Sequence, residues 1–165
     1  MTASEKLEQI VREHDPMIRR IAASYEFKSH LAQELVQEIY FAIWRALPVY
    51  RGEAALRTFV ARIATNRAIT HVARALKAPP VAQLHENLPA PGLGPEGHAI
   101  ALEGREKLQA AVRILPLAYR QTALLALEGL TSSEIAEVLG ISANAVSIRM
   151  SRAKDLLRKL IGEEQ

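Results

Sequence analysis

A chain of 165 residues, close to half of them apolar, holds enough material for one or two small packed domains and is not a disordered polyelectrolyte. With no cysteine it builds neither a disulfide framework nor a thiolate metal site, which fits a reducing cytoplasm; its polar, charged N-terminus is no secretory signal, and no apolar run is long enough to insert in a membrane. The net charge of +3 is modest but uneven: residues 78–104 contain Glu86, Glu96 and Glu103 and no Lys or Arg, so the basic charge sits in two flanking halves, a pattern suited to an extended polyanion.

Taken in order, residues 4–14 are expected to form a helix with Leu7, Ile10 and Val11 inward. Asp15-Pro16 reads as a break and restart, Asp as cap and Pro at the first helical position, with a second helix running to about Tyr25 over Ile18, Ile21 and Ala22. Ser29 or His30 opens a longer helix to about Leu47, ended by Pro48. Its inner stripe is Leu31, Leu35, Ile39, Ala42, Ile43 and Ala46, widened by Val36, Tyr40 and Trp44. The remaining face carries Glu34, Gln37, Glu38, Phe41 and Arg45. An aromatic among charges suggests a protein-binding surface with an apolar anchor and a polar surround; packing of Phe41 under a neighbouring helix explains it as well. Val49 to Glu53 is a loop, with Gly52 free for an unusual backbone angle. A helix from about Ala54 to Leu76 follows, with Leu56, Phe59, Val60 and Ile63 inward. Arg51, Arg57, Arg62, Asn66, Arg67, His71, Arg74 and Lys77 leave this stretch strongly basic, suited to a nucleic-acid backbone and unstacked bases, although a solvated basic helix reads the same way. His14, His30 and His71 stand at no metal-binding spacing.

The Pro/Gly cluster of residues 78–97 reads as a linker between two all-helical lobes, 1–77 and 98–165. In the second lobe Ala101, Leu102, Leu108, Ala111, Val112 and Leu115 line one helix, Pro116 restarts the chain, and Thr122 to Glu128 is a compact apolar helix closed by Gly129. Thr131 to Leu160 then reads as a helix-turn-helix. Thr131-Ser132-Ser133-Glu134 has the form of a capping box; Ile135, Ala136 and Leu139 share a face; Gly140 ends the first helix; Ile141 is an apolar plug and Ser142 the next cap. The second helix buries Val146, Met150, Ala153, Leu157 and Leu160. Asn144, Ile148, Ser151, Arg152 and Asp155 point away from that stripe, flanked by Ser147, Arg149 and Lys154. Such a helix can enter the major groove, where Asn can read adenine, Arg can read guanine and an exposed Ile suits a thymine methyl; a solvated helical hairpin with a basic face is the plainer alternative, against which capping, glycine turn, stripe and basic face all agree.

These strings together resemble a bacterial RNA polymerase sigma factor of the small, extracytoplasmic-function group of the sigma-70 family. The first lobe resembles that family's second conserved region through Leu35-Val36-Gln37-Glu38, Trp44-Arg45-Ala46-Leu47, Tyr50-Arg51-Gly52-Glu53, Thr58-Phe59 and Arg62-Ile63-Ala64-Thr65-Asn66. The second resembles its fourth region through Leu115-Pro116, Gly129-Leu130-Thr131, Glu134-Ile135-Ala136 and Ser151-Arg152-Ala153-Lys154. The resemblance implies docking of Glu34, Gln37, Glu38 and Phe41 on the clamp of the largest subunit of core RNA polymerase, with the flap as a further contact. It implies binding and melting of the minus-ten promoter element by Tyr50, Arg51, Arg57, Arg62, Asn66, Arg67, His71 and Arg74, Asn66 lying near a pocket for a flipped base. It implies reading of the minus-thirty-five duplex by Asn144, Ser147, Ile148, Arg149, Ser151, Arg152 and Lys154, and control by an anti-sigma factor. The family often has several acids just before the Leu35 position, where this chain has only Glu34; it often has a basic residue at Ser147 and a bulky one at Ser151.

Two other readings stand beside this one. A free-standing helix-turn-helix regulator would add a dimerising helix or a ligand pocket, and neither is evident. An enzyme or a helical scaffold is the other; the chain has no Gly-rich phosphate loop, paired metal-ligand motif or nucleophile elbow, so no catalytic residue, metal or cofactor is expected.

Overall fold

Residues 2–52, 54–77 and 100–162 are described in the computed structural model, and among them there are seven α-helices and no strand, as the all-α expectation required. The chain divides into two compact units, Met1–Asn87 and Leu88–Gln165. The linker expected at 78–97 lies outside the described residues.

In the first unit α1 (Ala3–Tyr25), α2 (Ser29–Ala46) and α3 (Leu56–Leu76) each pack against the other two, and a short 3-10 turn, Leu47–Val49, follows α2 and takes in Pro48. α1 opens with a complete capping box, Thr2 accepting from the Glu5 amide and Glu5 accepting from the Thr2 amide. The expected break at Asp15-Pro16 does not occur: Pro16 lies inside one continuous helix. The apolar stripe Ile10, Met17, Ile18, Ile21, Ala22 and Tyr25 is buried on both sides of it, and that burial outweighs the one amide bond a proline removes. Asp15 therefore caps nothing. Its carboxylate instead accepts from the Tyr40 hydroxyl of α2 and from Arg19 Nε at 2.8 Å, joining α1 to α2.

α2 begins at Lys28 without a side-chain cap and is held by packing, with Leu35, Val36, Ile39 and Ile43 almost wholly buried. Val11 and Trp44, expected inward, are exposed: each lies at the edge of its stripe, where the neighbouring helix no longer covers it. α3 departs further from expectation. Its buried side is Thr58, Val60, Ala61, Ala64, Thr65 and Ala68, whereas Leu56, Phe59 and Ile63 are half-buried. Small residues on that side let the backbone of α3 approach α1 and α2 closely, and the larger apolar residues are turned to the flank.

The second unit consists of α4 (Ile100–Ile114), α5 (Leu117–Leu127), α6 (Ser132–Leu139) and α7 (Ala143–Ile161). α5 starts at Leu117, earlier than expected, because Pro116 serves as its N-cap. Leu115, Ala123 and Ala153 form a buried cluster, with Tyr119, Leu156 and Leu157 packed around it. The capping box Thr131–Glu134, the left-handed Gly140 (φ 68°) and the Ser142 cap on the Ala145 amide all occur as the local signals required. On α6 the buried pair is Ile135 and Val138, not Ala136 and Leu139, which are half-buried. On α7 Val146 and Ala153 are buried, Met150 and Leu157 half-buried, and Leu160 exposed, since the last turn runs past the helices it packs on.

The Asp15 link has a measurable consequence. Burial alone would raise the Asp15 carboxyl, but the hydrogen bonds from Tyr40 and Arg19 and the charge of Arg19 outweigh it and hold the group below the usual carboxylate range. A depressed carboxylate contributes stability that is present above its unfolded pKa and lost as pH falls through the folded one. Tyr40→Phe should therefore destabilise the first unit by about 1 kcal/mol at neutral pH. In denaturant titrations the difference from wild type should shrink below the usual carboxylate range.

Candidate protein-binding and nucleic-acid interfaces

Burial of Leu35, Val36, Ile39 and Ile43 leaves the opposite side of α2 outward. Glu34 and Gln37 are exposed there, and Phe41 is 58% exposed, which removes the possibility that it packs under a neighbouring helix. Trp44, 48% exposed, stands one turn further on, with its ring centroid 6.1 Å from that of Phe41, and the Arg45 guanidinium lies 5.7 Å from the Phe41 ring. This two-ring patch was only half legible: the three-residue step from Phe41 to Trp44 was the available signal, but Trp44 also fitted the edge of the apolar stripe.

The basic stretch from Tyr50 to Arg74 separates into parts. Arg51, Arg57, Arg62 and Asn66 are exposed. Tyr50 is half-buried: its hydroxyl donates to the Ala54 carbonyl at 2.6 Å, its ring centroid lies 4.4 Å from that of Phe59, and Lys6 covers it at 5.7 Å. Together with Gly52 at φ 82° it braces the loop. His71 is turned toward α1, where its Nε2 lies 2.7 Å from Glu26 Oε1; the same carboxylate accepts from the Lys28 amide, and Glu26 is buried. Arg67 and Arg74, on the same side of α3 as His71, reach Glu38 of α2 at 3.1 and 3.3 Å. The structure thus brings Glu38, expected on the protein-binding face, together with two arginines expected on the DNA face. No signal within either helix announces this, because the partners are 29 and 36 residues apart.

On α7 the side opposite Val146 and Ala153 carries Asn144, Ile148, Ser151, Arg152 and Asp155, all exposed, with Ser147 and Lys154 exposed on one flank and Arg149 half-buried on the other. Ile148 is 45% exposed. Asp155 pairs with Arg158 at 3.3 Å. Ser147, Ser151 and Lys154 border an open depression of about 380 Å³ floored by Ala126, Leu130, Ile135 and Met150, with Ser132 at the start of α6 on its far side. Among the described residues no three His, Asp or Glu side chains gather as metal ligands, and no helix is long and apolar enough to cross a membrane.

The described residues thus offer an aromatic-anchored face and a basic face on one unit and a basic helix-turn-helix on the other, chemistry suited to a protein partner and to nucleic acid. Comparison with known proteins makes the class specific. Residues 10–77 match the Sigma-70 region 2 family and residues 105–157 the Sigma-70, region 4 family, together well over half of the chain. The chain is 28% identical to the RNA polymerase sigma factor NccH of Alcaligenes xylosoxydans xylosoxydans, over 95% of this chain and 87% of that protein. It is 26% identical to the ECF RNA polymerase sigma factor SigE of Mycolicibacterium smegmatis, over 94% of this chain and 62% of that one. Its fold is similar to that of the sigma factor RpoE in a complex with the anti-sigma factor NepR from Bartonella quintana, with TM-score 0.75 and 17% identity, covering 98% of this chain and 99% of that one. The chain belongs to the sigma-70 family of RNA polymerase sigma factors, in its extracytoplasmic-function (ECF) group.

The Glu26–His71 contact gives a test of how the basic stretch divides. His71→Ala should lower unfolding stability by roughly 1–2 kcal/mol, because it strips a buried carboxylate of a partner. A thermal melt that matched wild type would return His71 to the DNA-contacting set.

Proposed function

We propose that this protein is a promoter-specificity subunit: it binds core RNA polymerase, melts and holds the minus-ten element with its first unit, and reads the minus-thirty-five element as duplex with its second. The observation that carries the reading is the succession, in one chain, of the two family regions on two units whose outward faces have the matching chemistry. The protein acts by binding, with no active site of its own, and works in the cytoplasm where the polymerase is.

On this reading Phe41 and Trp44 anchor the chain on the polymerase clamp, with Glu34, Gln37 and Glu38 as the polar surround that excludes water from the anchor. Arg51, Arg57 and Arg62 neutralise phosphates of the displaced strand, and Asn66, with both donor and acceptor, satisfies the edge of an unstacked base. Arg67 and Arg74 add to that basic surface; Tyr50 and His71 keep the loop and α3 in shape beneath it. In the second unit Asn144, Ile148 and Arg152, four residues apart along α7, face base edges. Ser147, Ser151 and Lys154 on one flank and Arg149 on the other secure the register on the backbone. An anti-sigma factor, such as the one bound to the similar Bartonella protein, would hold these faces off until a signal releases them. Residues 1–77 form the core- and minus-ten-binding domain, 98–165 the minus-thirty-five domain, and 78–97 their connection.

The deciding experiment is run-off transcription by core RNA polymerase with and without the protein on a genomic promoter library. Specific initiation that depends on the protein is expected. A protein that shifts promoter duplex alone, and initiates nothing with core, would instead be a free-standing regulator. With a promoter in hand, Arg152→Ala should cost roughly 1–3 kcal/mol on that promoter if it reads a base, whereas an equal loss on random duplex would make it a phosphate contact. Replacing thymine by uracil through the minus-thirty-five element should weaken binding where Ile148 meets a methyl, and Ile148→Ala should abolish that difference.

A further inference from the structure

The Glu38 carboxylate is claimed by both faces of the first unit. It sits on the outward side of α2, one turn before Phe41, yet Arg67 Nη2 and Arg74 Nη1 of α3 both converge on its Oε1. Arg67 and Arg74 are seven residues apart, two turns of one side of α3, so a single carboxylate across the helix–helix groove serves both. The arrangement is incomplete. Arg67 Nε is buried and finds no acceptor among the described residues, so this guanidinium uses only part of its fork. Glu38 Oε1 takes one donor from each arginine, whereas a phosphate can take two from the outer nitrogens of one guanidinium. Glu34, on the same side of α2 and one turn earlier, has no ion pair among the described residues, so the pairing is a property of position 38 and not of the face.

We propose that Glu38 is an intramolecular mask: in the free protein it occupies Arg67 and Arg74 and lowers the affinity of the basic α3 surface for nucleic acid. This rests on the reading of α2 as the polymerase face and α3 as the DNA face. On that reading a carboxylate drawn into a protein partner on α2 no longer holds the arginines, so docking and DNA binding are coupled through one side chain. Coupling of this kind is reciprocal, and DNA that takes the arginines frees Glu38 for the partner. It gives the free chain a reason to leave DNA alone until it has a polymerase.

The test uses the full chain without polymerase and a fluorescent single-stranded oligonucleotide of mixed sequence, read by anisotropy over a range of salt. Glu38→Gln should bind it more tightly than wild type; two surface pairs of ordinary strength, one of them part-buried, correspond to roughly a three- to tenfold gain. The log–log salt slope should steepen by about 0.7 for each arginine released. Glu8→Gln, which removes the same charge from an exposed site on α1, should change affinity less than about twofold, the effect of net charge alone. Arg67→Ala with Arg74→Ala should erase the gain in the Glu38→Gln background. Equal gains for Glu38→Gln and Glu8→Gln would overturn the mask. Weaker binding by Glu38→Gln would also overturn it, and would make the carboxylate a positioning group for the arginines. If the gain occurs but core transcription with the wild type fails, the functional reading falls and the mask stands; if transcription succeeds without the gain, only the mask falls.

Discussion

Burial of Leu35, Ile39 and Ile43 along one side of α2 is the constraint from which the rest of the first unit follows. A helix has only one side it can lose to the core, so committing that side decides where every other residue of α2 points. Phe41 and Trp44 are then outward, and the apolar area they leave in water is a standing cost that only a partner removes. Glu38 lands on the border between this outward face and α3, and Tyr40 lands against α1, where it meets Asp15. One packing decision thus sets the outward aromatic face, the α1–α2 link and the α2–α3 ion cluster. α2 has no side-chain cap of its own, so its placement rests on these contacts with α1 and α3.

The same logic explains what could be read from the residues and what could not. The helix-turn-helix was legible almost entirely, because its signals act over three or four residues: the Thr131–Glu134 box, the positive φ at Gly140, the Ser142 cap. Where the sequence reading failed, the deciding contact lay elsewhere in the chain. Pro16 looked like a boundary, and only the stripe from Ile10 to Tyr25, buried against α2 and α3, carries the helix through it. α3 looked as though Leu56, Phe59 and Ile63 should face inward because they are the large apolar residues. The close approach of two other helices favoured Ala61, Ala64 and Ala68 instead. Trp44 and Leu160 fit a helical period and are exposed because the period says nothing about where the covering helix ends. The candidate surfaces followed suit. The outward face of α7 and the chemistry of Phe41 were legible, while the diversion of His71 to Glu26 and of Arg67 and Arg74 to Glu38 was not.

That diversion changes how the basic charge of α3 should be understood. Counted along the sequence, the stretch from Arg51 to Lys77 carries a large positive charge opposed by a single acid, Glu53. In the fold the carboxylate of Glu38 is laid against it from another helix, and Glu26 removes His71 from the surface. The cations that remain outward without a described carboxylate partner are Arg51, Arg57, Arg62 and Lys77, beside the uncharged Asn66. This is a smaller electrostatic footprint than composition implies, and phosphate contacts dominate affinity for nucleic acid. A weak footprint on the first unit suits a protein that should find DNA only in company.

The second unit poses the complementary problem. On the proposed function, a recognition face of Asn144, Ile148 and Arg152 would read few base pairs, and each good side-chain contact discriminates by only about 1–3 kcal/mol. Against the non-specific sites of a whole genome, that is too little for either unit alone. Two weak readers on one chain, however, bind as a pair once a common platform holds both: the second engagement becomes intramolecular, and its affinity is multiplied by an effective concentration instead of being limited by the free one. On the proposed function the polymerase is that platform. The small cores, the partly masked arginines and the modest recognition face are then requirements of the mechanism. A unit that bound its element tightly by itself would occupy promoters without a polymerase and block the initiation it is meant to direct.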